Sequence, residues 1–193
     1  MVLNLRLLLS EEITRESLEV GGKAKSLAFL SAKGFTVPPF VVVQLIDSAG
    51  EIPSLSDIRD IISVSSSRLP AAHLFAVRSS ASNEDGSDQS FAGMFESVLN
   101  VSSDRLANAI LKVFESLRST RLQAYSGSDQ SEMNVIIQSM LVPDFSGVAF
   151  GMDPLSGRRD RYVINSVKGL GDALVSGKVN ADHFEIEDGT RSP

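Results

Sequence analysis

The sequence predicts an α/β or α+β protein with mostly short strands. Three observations carry that reading. Helical and strand patterns alternate over the first 125 residues, and short apolar runs separated by turn residues dominate the rest. The composition is that of a globular chain, with 42% hydrophobic and 22% charged residues among 193. A chain of this length buries roughly 70% of the surface it exposes when unfolded, enough for a core without covalent staples.

Residues 1–9 are apolar but short, carry Arg6 and run into Glu11 and Glu12. They read as the start of a strand or helix, not as a signal peptide. Residues 23–33 place Ala24, Leu27, Ala28 and Ser31 at helical spacing, and Gly34 supplies a left-handed stop. After Pro38 and Pro39, the unbroken run 40–43 predicts a buried strand. Ser54 with Asp57 three residues on predicts a capped helix reaching about Arg68. Residues 74–77 and 98–101 read as strands. Residues 104–125 form the longest helical pattern, with Leu106, Ile110, Val113, Phe114, Leu117 and Leu122 on one face. The polar stretch 126–131 is the expected hinge. Beyond it, runs at 135–140, 147–150, 162–164 and 184–186 read as strands, and 169–176 as a short helix stopped by Gly177.

Several function classes fall away at once. The chain has no cysteine, which removes thiol catalysis, iron–sulfur clusters and cysteine-ligated zinc. A net charge of −6, from 18 Lys+Arg against 24 Asp+Glu, argues against nucleic-acid binding. No apolar run approaches the ~20 residues of a membrane span, so the cytoplasm is the default expectation.

Three segments are hard to explain as packing. Gly21-Gly22-Lys23 stands at a helix start, where backbone amides, the helix dipole and a lysine suit an anion. It is not a Walker A sequence, because Ala24 stands where Ser or Thr belongs, and an ordinary turn before a surface helix would also explain it. In the second, Arg78 ends an apolar strand and leads into small hydroxyl residues, Glu84, Asp85 and then Ser90-Phe-Ala-Gly93 and Ser97. Arginine there suits bidentate phosphate contact, and a flexible solvated loop is the plain alternative. In the third, polar Gln138 ends an apolar strand beside Met140, a pairing that suits a purine edge and face.

In this order the segments resemble the nucleotide-binding domain of the phosphoenolpyruvate synthase and pyruvate phosphate dikinase family, which rifampicin phosphotransferases share. The matching text is Val20-Gly-Gly-Lys23, Gly34-Phe-Thr-Val-Pro-Pro-Phe-Val-Val43, Phe75-Ala-Val-Arg78-Ser-Ser-Ala, Glu84-Asp85, Ser90-Phe-Ala-Gly93 and Leu99-Asn-Val101. It continues through Val135-Ile-Ile-Gln138-Ser-Met140, Ser146-Gly-Val-Ala-Phe150, Asp153-Pro154, Gly169-Leu-Gly171 and Val175-Ser-Gly177.

The resemblance implies an ATP-grasp-type fold, with a helix-rich lobe at 1–126, a strand-rich lobe at 132–187, a tail at 188–193 and the fold's C-terminal part absent. It implies that Lys23 contacts ATP phosphates and that Arg78 holds the phosphate tail and stabilises the transferring group. Gly93 and Ser97 fall in the phosphate-covering loop, and Gln138 and Met140 line the adenine. Magnesium is implied too, with its acidic ligands outside this chain, as are a phosphohistidine domain and a pyruvate-binding domain downstream or in a partner. The resemblance thus implies the ATP-binding part of a dikinase-type phosphotransferase that passes phosphate from ATP to a histidine and then to pyruvate. The rival expectations are a non-catalytic nucleotide-binding or regulatory module and a rifampicin phosphotransferase-like drug-modifying enzyme. Gly151, Asn165, Lys168 and Ala181 depart from the family pattern. His73 and His183 lack the context of a phosphoryl-accepting histidine and read as structural or surface residues, and Asp153, Asp160 and Glu185 as solvated acids.

Overall fold

A computed structural model describes residues 4–15, 19–46, 51–64, 66–80, 97–124 and 133–187. The chain divides into two compact units, Met1–Met140 and Leu141–Pro193.

The first unit is built on a five-stranded sheet in the order β1-β2-β5-β3-β4, every pair antiparallel. Its strands are β1 (Asn4–Leu9), β2 (Phe40–Ile46), β3 (Leu74–Ser80), β4 (Ser97–Ser102) and β5 (Met133–Ser139). The open reading of the N-terminus resolves into strand β1 followed by helix α1 (Ser10–Arg15). β2 and β5 lack polar–apolar alternation because helices cover both faces, so almost every position is buried.

Period-two alternation sorts the side chains. One face carries Leu7, Val41, Val43, Leu45, Phe75, Val77, Val135 and Ile137, packed against Ile58 of α3 (Leu55–Val64) and against α4 (Leu106–Ala124). α4 contributes Leu106, Ile110, Val113, Phe114 and Leu117, the stripe that its spacing predicts. Leu122 lies among residues whose side chains are not described. Burying each such side chain stabilises the fold by ~1.5–3 kcal/mol. The opposite face carries Leu8, Phe40, Val42 and Ile136, and is covered by Ile13 of α1, by Val20, and by Ala24 and Ala28 of α2 (Gly21–Ala32).

Local signals set the helix ends. Ser54 Oγ accepts from the Asp57 amide at 3.2 Å, while Asp57 Oδ2 accepts from the Ser54 amide at 3.0 Å, a reciprocal capping box. The Ser54 hydroxyl and amide hold the Asp57 carboxyl below its ordinary pKa. α3 stops at Val64, and a 3₁₀ turn at Ser66–Arg68 completes the stretch expected as helix. α2 ends at a Schellman motif: Gly34 at φ +82° donates to Ser31 O, and Phe35 donates to Leu30 O. Between β3 and β4 the register slips, and Asn100 takes up the bulge at φ +55°.

The second unit holds the antiparallel sheet β6-β7-β8, from β6 (Phe145–Phe150), β7 (Arg161–Lys168) and β8 (Asp182–Glu187), with the single-turn helix α5 (Asp172–Val175). Among the described residues of this unit only Val163 and Val167 are buried hydrophobics, while Phe145, Phe184 and Ile186 on one sheet face are 67%, 53% and 50% exposed. β5 lies between β2 and β3, within the first unit. The stretch expected as the hinge, 126–131, and the tail, 188–193, lie outside the described residues.

Candidate functional site

Arg78 is half-buried near the end of β3, cross-strand from Ile136 of β5 and from Ser97 of β4. Alternation puts Arg78 and Ser80 on the sheet face that α2 covers, together with Gln138, the partner of Phe40 and Ala76. The strand end therefore bears a cation and a hydroxyl on the sheet face covered by the helix that starts with Gly21-Gly22-Lys23.

That start is fastened to the sheet residue by residue. The Ser80 hydroxyl donates to Val20 O at 2.8 Å and accepts from the Ala24 amide at 3.1 Å. Val20, the N-cap, makes no side-chain cap, so Ser80 supplies from another element a hydroxyl partner for the first turn of the helix. One residue earlier, Glu19 O accepts from Gln44 Nε2 at 3.2 Å and from Asn134 Nδ2 at 3.1 Å. Gln44, Asn134 and Ser80 sit side by side on β2, β5 and β3 as successive cross-strand partners. Gly21 adopts φ +78°, and a Cβ there would lie 2.6 Å from the Ser80 carbonyl carbon and oxygen.

The structure thus brings Lys23, half-buried in the first turn of α2, to the sheet face that bears Arg78. Gln138 is buried and donates to Pro38 O at 3.2 Å. Met140, half-buried, follows β5 and donates its amide to Leu74 O at 2.9 Å. Ser97 is exposed at the start of β4, and Gly93 lies outside the described residues. Sequence reasoning missed Ser80, Gln44 and Asn134. The signal was available for the last two, polar side chains inside apolar strands, because a buried amide must find partners.

The second unit corrects one expectation. Asp153, read as solvated, is buried: its carboxylate accepts from the Leu155 and Ser156 amides at 2.9 and 3.3 Å and from Ser156 Oγ. The Ser156 hydroxyl first, then the Leu155 amide, lowers its pKa, so it shapes the turn that ends at Gly157. Asp160 pairs with both nitrogens of the Arg158 fork, and Glu185 with Arg161. His183 is exposed, 2.8 Å from Asn165 Oδ1. His73 is exposed just before β3. Among the described residues no three His, Asp or Glu side chains gather to hold a metal. No described helix is long and apolar enough to cross a membrane.

Residues 51–192 match the family description "Pyruvate phosphate dikinase, AMP/ATP-binding domain". The chain belongs to that family. The pyruvate phosphate dikinase match spans β3, β4 and β5, with Arg78, Ser97 and Gln138, and begins after α2. One relative covers more of the chain than the family match does. The prodigiosin synthesizing transferase PigC of Serratia marcescens is 34% identical over 93% of this chain and 23% of its own length. A rifampicin phosphotransferase of Bacillus subtilis is 38% identical over 72% of this chain and 17% of its own. A probable phosphoenolpyruvate synthase of Pyrococcus horikoshii is 39% identical over 60% and 15%. The chain therefore spans less than a quarter of the length of these relatives.

Proposed function

We propose that this chain is the ATP-binding part of a dikinase-type phosphotransferase resembling phosphoenolpyruvate synthase, with an ATP-grasp-type fold. The observation that carries the reading is the fastening of the Gly21-Gly22-Lys23 start to Ser80, two residues beyond Arg78 on β3. A lysine, an arginine and a glycine-flanked helix start on one sheet face suit a polyphosphate.

In this reading Lys23 contacts the phosphates, Arg78 holds the phosphate tail and stabilises the transferring group, and Gly93 and Ser97 belong to the segment over the phosphates. Gln138 and Met140 contribute to the adenine site. Magnesium, when present, would neutralise phosphate charge, and its ligands belong to chain beyond these residues. The acceptor is a histidine of a separate domain, which then passes the phosphoryl group to pyruvate.

Relatives with differing acceptors favour a second reading of that last step. The rifampicin phosphotransferase and the phosphoenolpyruvate synthase match this chain at 38% and 39% identity, which supports a shared donor side. A drug hydroxyl is the alternative final acceptor. Calorimetric titration with magnesium–ATP tests the common part: the expected result is saturable binding that Arg78→Ala weakens. Absence of binding by the wild type would overturn it.

A further inference from the structure

We propose that Ser80 is the positioning residue of the phosphate grip, with Gln44 and Asn134 as its second arm. The inference rests on the ATP reading and assigns a role to residues that hold the helix start in place. Arg78 and Ser80 are alternate residues of one strand, and the Ser80 hydroxyl bonds on both sides of Gly21-Gly22-Lys23, to Val20 O and to the Ala24 amide. The distance between the Arg78 strand and the Lys23 turn is therefore set by one hydroxyl that is fully buried. Gln44 and Asn134 hold Glu19 O from two neighbouring strands, which stops the entering chain from sliding along the sheet. Gly21 lets the backbone approach closely enough for this, since any Cβ would meet the Ser80 carbonyl. The two cations are thereby placed before ATP arrives, and the ordering cost of binding is lowered.

Preorganisation of this kind is felt by phosphates and not by the nucleoside. The test measures the affinity of the whole chain for ATP and for adenosine, well below the melting temperature, in wild type, Ser80→Ala and Gln44→Met. Amide hydrogen exchange at Ala24 is followed in parallel. The expected result is a fall of about three- to tenfold in the ATP-to-adenosine affinity ratio for each variant, as for the loss of one hydrogen bond, with faster exchange at Ala24 in Ser80→Ala. If Ser80→Ala does not fold, Gln44→Met decides by the same ratio. Faster exchange with an unchanged ratio would overturn the inference while leaving the ATP reading in place. A wild type that binds no ATP would overturn both.

Discussion

Gly21 and Ser80 approach so closely that no side chain fits between them: a Cβ on Gly21 would stand 2.6 Å from the carbonyl and the hydroxyl of Ser80. The helix start and the strand end are in effect one object, and changes at either are transmitted to the other.

Gly21→Ala meets two obstacles, a positive φ and a backbone collision. A left-handed alanine costs roughly 1–2 kcal/mol, and the collision adds strain of the order of 1–3 kcal/mol. Gly34→Ala shares the positive φ, at +82°, but meets nothing within 4 Å. Urea titration should therefore show Gly21→Ala as the more destabilised by at least about 1 kcal/mol. Equal losses would mean that the approach to Ser80 is looser than described.

Arg78→Ala should weaken ATP binding by about ten- to a hundredfold, the loss of a charge-assisted contact worth ~1.5–3 kcal/mol. Arg78→Lys should recover only part, because a point charge does not reproduce the planar fork. Calorimetry on the three proteins reads this out. Unchanged affinity in Arg78→Ala would remove its phosphate role.

Phe114 is fully buried between α4 and the sheet. Phe114→Ala should destabilise the first unit by about 3–5 kcal/mol through lost transfer energy and a residual cavity. A loss under about 1 kcal/mol, seen in chemical denaturation, would contradict the packing described for this face.

The capping box at Ser54 and Asp57 makes a pH-dependent contribution with a definite sign. Asp57 titrates lower in the folded chain, so its stabilisation is complete above the ordinary carboxylate pKa of about 3.9 and disappears as pH falls through the lowered value. Ser54→Ala should be less stable than wild type at pH 7, and the gap should narrow toward pH 3. It should not close, because Ser54 Oγ accepts from the Asp57 amide at any pH. A gap constant from pH 7 to 3 would show that the carboxylate contributes nothing.

Much of this architecture is legible in the sequence because it is local information. The α4 stripe, the Ser54 box and the Gly34 stop are set by residues within a few positions of each other, and each appears in the structure. The clamp on α2 is not local. Glu19 meets Gln44 across 25 positions and Asn134 across 115, and no periodicity encodes which strand lies beside which. The same limit explains β5: its apolar run announces a strand, but its place between β2 and β3 is set by sheet order. Lys23 and Arg78 were legible as residue types at element ends. That one buried hydroxyl sets the distance between their elements was not.

That sheet order also imposes a timetable on synthesis. β2 and β3 are made early, yet the strand that joins them spans Met133–Ser139. Until it leaves the ribosome, β1–β2 and β3–β4 are separate two-stranded ribbons, each marginal by itself and each with an open inner edge. At ~5–20 residues per second, more than 50 residues after β3 ends, the nascent chain carries those edges for several seconds. Arrest of translation before Met133 should leave a protease-sensitive, aggregation-prone chain, and release past Ser139 should let the sheet close in one step.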